Sequence, residues 1–245
     1  MEVNSNPIRI VPLHGAALAA PAPRPELTYR GGPLLANVEV FTLFWGAAWQ
    51  QDADLMQQLN QFYDTILASA LIDQLGEYSV PSMPISHGTR AGTINLANPA
   101  PPSSMTDSDV QQFLQSQIAA QNGVPPPTST SLYFIYLPSG VTVSLDGGAS
   151  CSSFCGYHQD ISGHIYYAVM PYPDCTGCVG GMQVFDALTS TSSHELCEAI
   201  TDPVPGAGWY DDSNGEIGDI CSWQTKTVSG YTVQLEWSNA AGRCV

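Results

Sequence analysis

All seven cysteines of this 245-residue chain lie in its later part, at Cys151, Cys155, Cys175, Cys178, Cys197, Cys221 and Cys244. Cross-links among them would pin that part of the chain and leave the earlier part to hold itself by packing. Two close pairs, Cys151 with Cys155 and Cys175 with Cys178, and one long pair, Cys221 with Cys244, read as disulfides and leave Cys197 over. The competing reading gathers the first four into a zinc site, because tetrahedral zinc accepts four thiolates at such spacing. Charge favours the disulfides. Asp and Glu number 22 against 6 Lys and Arg, a formal net charge of −16, while charged residues make up only 11% of the chain. An acidic, Lys-poor surface suits a secreted protein in an oxidising compartment, one that tolerates acid. The same charge excludes nucleic acid and anionic membranes as partners, since both are engaged through Lys and Arg. No apolar run is long enough to span a bilayer.

Residues 1–35 are rich in Pro and Ala, as in Pro21-Ala22-Pro23-Arg24-Pro25, and read as a flexible leader or pro-segment without the layout of a signal peptide. Residues 36–245 form the single domain. Val38–Trp45 is β-branched and aromatic, hence a buried strand, and Leu55, Leu59, Phe62, Ile66 and Leu67 recur at helical spacing between Asp52 and about Leu75. Thr106 or Asp107 caps a further helix through Ile118, Leu132–Leu137 and His164–Met170 are strands, and a helix runs from about Met182 to Ile200. The expected class is an α/β (α+β) domain, a mixed sheet flanked by helices, with a disulfide-bonded C-terminal part.

The last of those helices carries His194-Glu195-Leu196-Cys197-Glu198. Phe185, Leu188, Ser192, Leu196 and Ala199 step by three or four and form its buried stripe, so His194 and Glu198 lie on another face, one turn apart. Two side chains so placed converge on a point outside the helix, as two metal ligands must. Glu195, rotated by about one hundred degrees at 3.6 residues per turn, can act as general base on water. The segment resembles the H-E-x-x-H motif of the zincin peptidases, with Glu198 where the second histidine stands. In the gluzincins a glutamate further along completes the site. Glu216 is the matching residue here, with Asp219 as the partner of a ligating histidine or a reserve ligand, and Asp202 as a second reserve. The expected ligands are therefore His194, Glu198 and Glu216, the metal is Zn2+, and the substrate is a peptide or protein. Tyr210 or His158 would polarise the substrate carbonyl, and Cys197 reads as a small buried hydrophobe. Asp211-Asp212-Ser213-Asn214-Gly215-Glu216 also looks like half of a Ca2+ loop, although Tyr210 and Cys221 stand where the EF-hand pattern wants acids.

From Val38 to Cys244 the chain further resembles the plant EXORDIUM, or phosphate-induced, extracellular family. The resemblance runs through Trp45, Ser86-His87-Gly88, Phe154-Cys155-Gly156-Tyr157-His158, Cys175 and Cys178, Thr201-Asp202-Pro203, Trp209-Tyr210, Glu216, Cys221 and the aromatic strand before Cys244. It implies an extracellular address and a disulfide-bonded fold. Together with the half calcium loop it supplies the alternative function, a non-catalytic extracellular protein that binds calcium, on the loop pattern, or carbohydrate, on the resemblance.

Overall fold

The computed structural model describes residues 10–15 and 23–245. Its centre is a six-stranded mixed sheet. In chain order the strands are β1 (Ile10–Pro12), β2 (Glu39–Trp45), β3 (Thr89–Leu96), β4 (Ser131–Tyr136), β5 (Phe154–Ile161) and β6 (Ile165–Met170). In space they run β1-β5-β6-β4-β2-β3, with β6, β4, β2 and β3 parallel and β5 running antiparallel between β6 and the edge strand β1. Strands covered on both faces need apolar residues at every position, and β4 is buried from end to end.

Helices α1 (Ala53–Ile66) and α3 (Val184–Thr201) cover one face, where Leu59, Phe62 and Ile66 meet Phe134, Tyr136, Leu196 and Ile200. Helix α2 (Asp107–Ala119) covers the other, setting Val110, Phe113 and Leu114 against Trp45, Tyr133 and Tyr167. Thr106 caps α2 reciprocally with Asp109, which explains why it starts there. The helix expected over 52–75 is two. Ser69 is extended and caps a new short helix, Ala70–Gln74, through its hydroxyl, so the first helix cannot run on.

Of the stretch expected as a leader, the described part is built into the domain. Leu27, Leu34 and Leu35 enter the core, Thr28–Tyr29 pairs with Trp209–Tyr210, and Ile10–Pro12 forms β1. Pro21 and Ala22, on which that reading partly rests, lie outside the described residues.

The disulfides are Cys151–Cys175, Cys155–Cys178 and Cys221–Cys244, with Cys197 free and buried. The close pairs thus cross rather than close on themselves. Cys155 lies within β5, and the segment before α3 comes alongside with Cα–Cα separations of 5.6 and 5.4 Å. A four-thiolate zinc site is thereby excluded. Three disulfides fit an extracellular, oxidising address. Among the described residues no helix is long and apolar enough to cross a membrane.

Both crossed bridges tie β5 to the entry of α3. Replacing Cys155 and Cys178 together by Ala should lower the unfolding free energy by about 2–4 kcal/mol, read from urea midpoints. An unchanged midpoint would show that packing and the remaining Cys151–Cys175 bridge suffice to hold β5 to α3.

Candidate metal centre

The sequence pattern marks only an apolar stripe, but α3 is buried from Ala187 to Thr201 on every side. It lies between the sheet and a hairpin of β7 (Thr225–Val228) and β8 (Tyr231–Gln234), so its polar side chains have only each other and the surrounding backbone to meet. Those toward its start are matched, apart from the Ser190 hydroxyl. Thr189 donates to the Thr232 carbonyl at 2.8 Å, Ser193 donates to the Ser190 carbonyl at 2.8 Å and accepts the Gln234 N–H at 2.9 Å, and Ser192 exchanges with Tyr136 at 2.8 Å.

The residues further along are not matched. His194, Glu195 and Glu198 are 0% exposed, as is Glu216, and His158 is 1% exposed. Within this group His194 Nε2, Glu195 Oε1, Glu198 Oε2 and both oxygens of Glu216 lack a hydrogen-bond partner. Native interiors leave few polar atoms so, and the cost of each is of the order of 1–3 kcal/mol. Here they share one small volume.

Two triads form, with Glu198 in both. On one side are His194, Glu198 and Asp219, on the other His158, Glu195 and Glu198, and in each the three ligand atoms lie within 4.8 Å of one another. His194 Nε2 is 2.9 Å from Glu198 Oε1 without the alignment of a hydrogen bond, and the Asp219 N–H donates to the same oxygen at 3.1 Å. His158 Nδ1 is 3.0 Å from Glu195 Oε2 and 3.4 Å from Glu198 Oε2, while its Nε2 donates to the Asp202 carbonyl at 3.2 Å and lies 3.5 Å from Glu216 Oε1.

Three elements deliver these groups. β5 brings His158, and Gly156 lets it lie close on α3, since a Cβ there would sit 2.6 Å from Thr191 Cγ2. The loop after Tyr210 brings Glu216 and Asp219. Gly218 lets it close down, because a Cβ there would sit 2.8 Å from His194 Nδ1 and 2.9 Å from Glu198 Oε1. β8 brings Gln234, whose amide is oriented by the Gly218 carbonyl at 2.9 Å and the Trp223 N–H at 3.0 Å, so that its NH2 also points at His194 Nδ1, 2.8 Å away. For His194 to offer Nε2 to a cation, Nδ1 must carry the ring proton and the amide must turn its oxygen to it.

The expected ligands His194 and Glu198 therefore meet, and Asp219, half-buried, is the carboxylate beside them. Glu216 lies on the His158 side. Asp202 holds the turn after α3, accepting the N–H groups of Gly206, Ala207 and Gly208. Tyr210 pairs with Thr28 and carries the Arg30 guanidinium over its ring. In the candidate calcium loop both Asp211 oxygens accept N–H groups, from Glu26, Ser213 and Asn214, and Asp212 pairs with Arg30. Sequence reasoning placed His158 only as a substrate contact. Its position at the third alternate residue of a strand opening Phe154-Cys155-Gly156 was the available signal, but only the sheet shows which face meets α3.

Electrostatically the centre is overfull of acid. Burial pushes Glu198 up, but His194 and His158 outweigh it and hold the carboxyl at about 2. Burial lowers His158, yet Glu195 and Glu198 raise it to about 10. Glu195 is raised by burial and by Glu198, against the pull of His158. Glu216 and Asp219 are raised well above the usual range by burial and by Glu198. The same carboxylates draw His194 toward its charged form against its burial, and the Gln234 N–H aimed at Nδ1 opposes that. No family model matches the chain, and no curated protein matches it.

A group that holds its proton more tightly when folded stabilises the fold below its unfolded pKa and loses that contribution as pH rises through the folded value. Glu195, Glu216, Asp219 and His158 all have this sign. Glu198 has the opposite one, lost only as pH falls from the usual carboxylate range to about 2. Metal-stripped protein should therefore show a higher urea midpoint at about pH 5 than at about pH 8, and added divalent cation should narrow the gap. Equal midpoints in stripped protein would contradict this account of the cluster.

Proposed function

We propose that the chain is a secreted, metal-dependent hydrolase of peptide bonds, with the cation held by His194, Glu198 and Asp219 and zinc as the first candidate. The observation that carries the reading is the meeting of these three residues, with Glu195 next to the first of them and one of its oxygens unpartnered in the interior. A bound cation would supply Lewis acidity, to a substrate carbonyl and to water. Glu195 is anchored through Oε2 by His158, which leaves Oε1 to take a proton from the attacking water and hand it to the leaving amine. Burial raises Glu195, which brings a carboxyl toward the range in which a general base works near neutral pH. Asp219, as the partly exposed member, marks the side nearest solvent.

Full burial of His194, Glu195 and Glu198 favours a second reading, in which the cation is purely structural and holds α3, β5 and the Gly215–Asp219 loop together. Metal analysis of the purified protein, paired with hydrolysis of a peptide library followed by mass spectrometry, separates the two. The catalytic reading expects at least one zinc equivalent per chain, and Glu195→Gln should cut turnover by about 10²- to 10⁴-fold while keeping the fold and the His194-bound cation. Metal without hydrolysis by the unaltered protein would favour the structural reading. Absence of metal after purification and reloading would sink both.

A further inference from the structure

The motif on α3 calls for one cation, but the cluster around it has a second set of ligand atoms. We infer that the centre takes two divalent cations, the second held by His158 Nδ1, Glu195 and Glu198, with the Glu198 carboxylate bridging the two positions. This rests on the metal-binding part of the reading above and adds a site to it.

Glu198 turns a different oxygen to each histidine. Oε1 faces His194 at 2.9 Å and Oε2 faces His158 at 3.4 Å, and Oε2 has no hydrogen-bond partner although the residue is 0% exposed. A carboxylate that serves a single ligand position needs only one oxygen so placed. His158 is held as a metal-binding histidine is held. Its outer nitrogen, Nε2, donates to the Asp202 carbonyl, and in the neutral ring this fixes the lone pair on Nδ1, the nitrogen that faces Glu195 and Glu198. Asp202 is itself fastened by the N–H groups of Gly206, Ala207 and Gly208, so the carbonyl that orients His158 is rigidly placed.

Charge points the same way. Glu195, Glu198 and Glu216 are wholly buried, Asp219 adjoins them, and among the described residues His158 and His194 are the basic groups in direct contact with the cluster. One divalent cation leaves an excess of carboxylate in the interior, which must then stay protonated or stand ionised without its hydration. Two cations allow the carboxyls to ionise. Glu216, whose oxygens are both unpartnered and one of which lies 3.5 Å from His158 Nε2, adjoins the second position from behind. Bound there, Glu195 would be a ligand through Oε2 and keep Oε1 for the proton. Hard, oxygen-rich ligation of this kind suits Mn2+ as well as zinc.

The test is titration of metal-stripped, full-length protein with Mn2+ and, separately, Zn2+, followed by desalting and elemental analysis, with electron paramagnetic resonance on the Mn2+ form. Two equivalents per chain are expected, together with the multiline signal of an exchange-coupled manganese pair in the unaltered protein. His158→Gln should retain one equivalent and lose the coupled signal, and so should His194→Gln, each emptying a different position. The spectrum of the unaltered protein decides the matter even where a variant fails to fold. One equivalent with an uncoupled spectrum overturns the two-cation centre; if it is kept in His158→Gln and lost in His194→Gln the single-cation reading stands, and the reverse pattern overturns that reading as well. Failure to bind either metal overturns both.

Discussion

Glu198 is wholly buried, and His194 and His158 draw its carboxyl toward the ionised form against that burial, so every neighbouring element answers to it. A carboxylate out of water is tolerable only if positive charge and hydrogen-bond donors reach it, and here they come from three directions. His194 comes from the preceding turn of the same helix, His158 from β5 and the Asp219 N–H from the loop that closes over Gly218. Removing Glu198 would take from both histidines the carboxylate they share and leave His194 Nε2 without its nearest acidic neighbour. The site is therefore also a structural keystone, and a cation within it would act on stability and chemistry together.

The rest of α3 shows how a polar helix survives burial. Tyr63, Tyr136 and Ser192 form a hydroxyl chain at 2.9 and 2.8 Å, and Thr201 turns its hydroxyl back onto the helix carbonyls. Unmatched atoms in the helix gather at His194, Glu195 and Glu198, apart from the Ser190 hydroxyl. On the other side Glu236 is also buried with both oxygens unpartnered, near Cys197, and burial drives both to their neutral forms. A neutral thiol beside a neutral carboxyl fits the role of Cys197 as packing material.

The crossed disulfides and the N-terminal strand both act on β5. Cys151–Cys175 and Cys155–Cys178 fix its start to the entry of α3, while β1 lies along its free edge with Val11 buried opposite Gly156. Trp223 adds a 2.8 Å hydrogen bond to the Pro12 carbonyl and stacks on His14. The strand that carries His158 is thus held on both sides, which keeps the Nδ1 atom at a set distance from α3.

Local signals were enough for what depends on near neighbours in the chain. The apolar run of β2, the Thr106 cap of α2 and the one-turn spacing of His194 and Glu198 could all be read from the residues, because backbone geometry alone places them. The same reading put Glu195 and Glu198 on one helix but could not show its burial on every side, since periodicity describes the apolar stripe and is silent about what covers the remainder. It took Glu216 as the third ligand by distance along the chain, whereas the path of the loop through Gly218 sets Asp219 beside His194 and turns Glu216 toward His158. Which cysteines pair, which face of β5 meets α3 and which oxygen of Glu198 meets which histidine were decided by tertiary structure only. Each depends on segments far apart in sequence, and their approach is fixed by packing of the whole sheet, for which no short stretch of residues carries a signal.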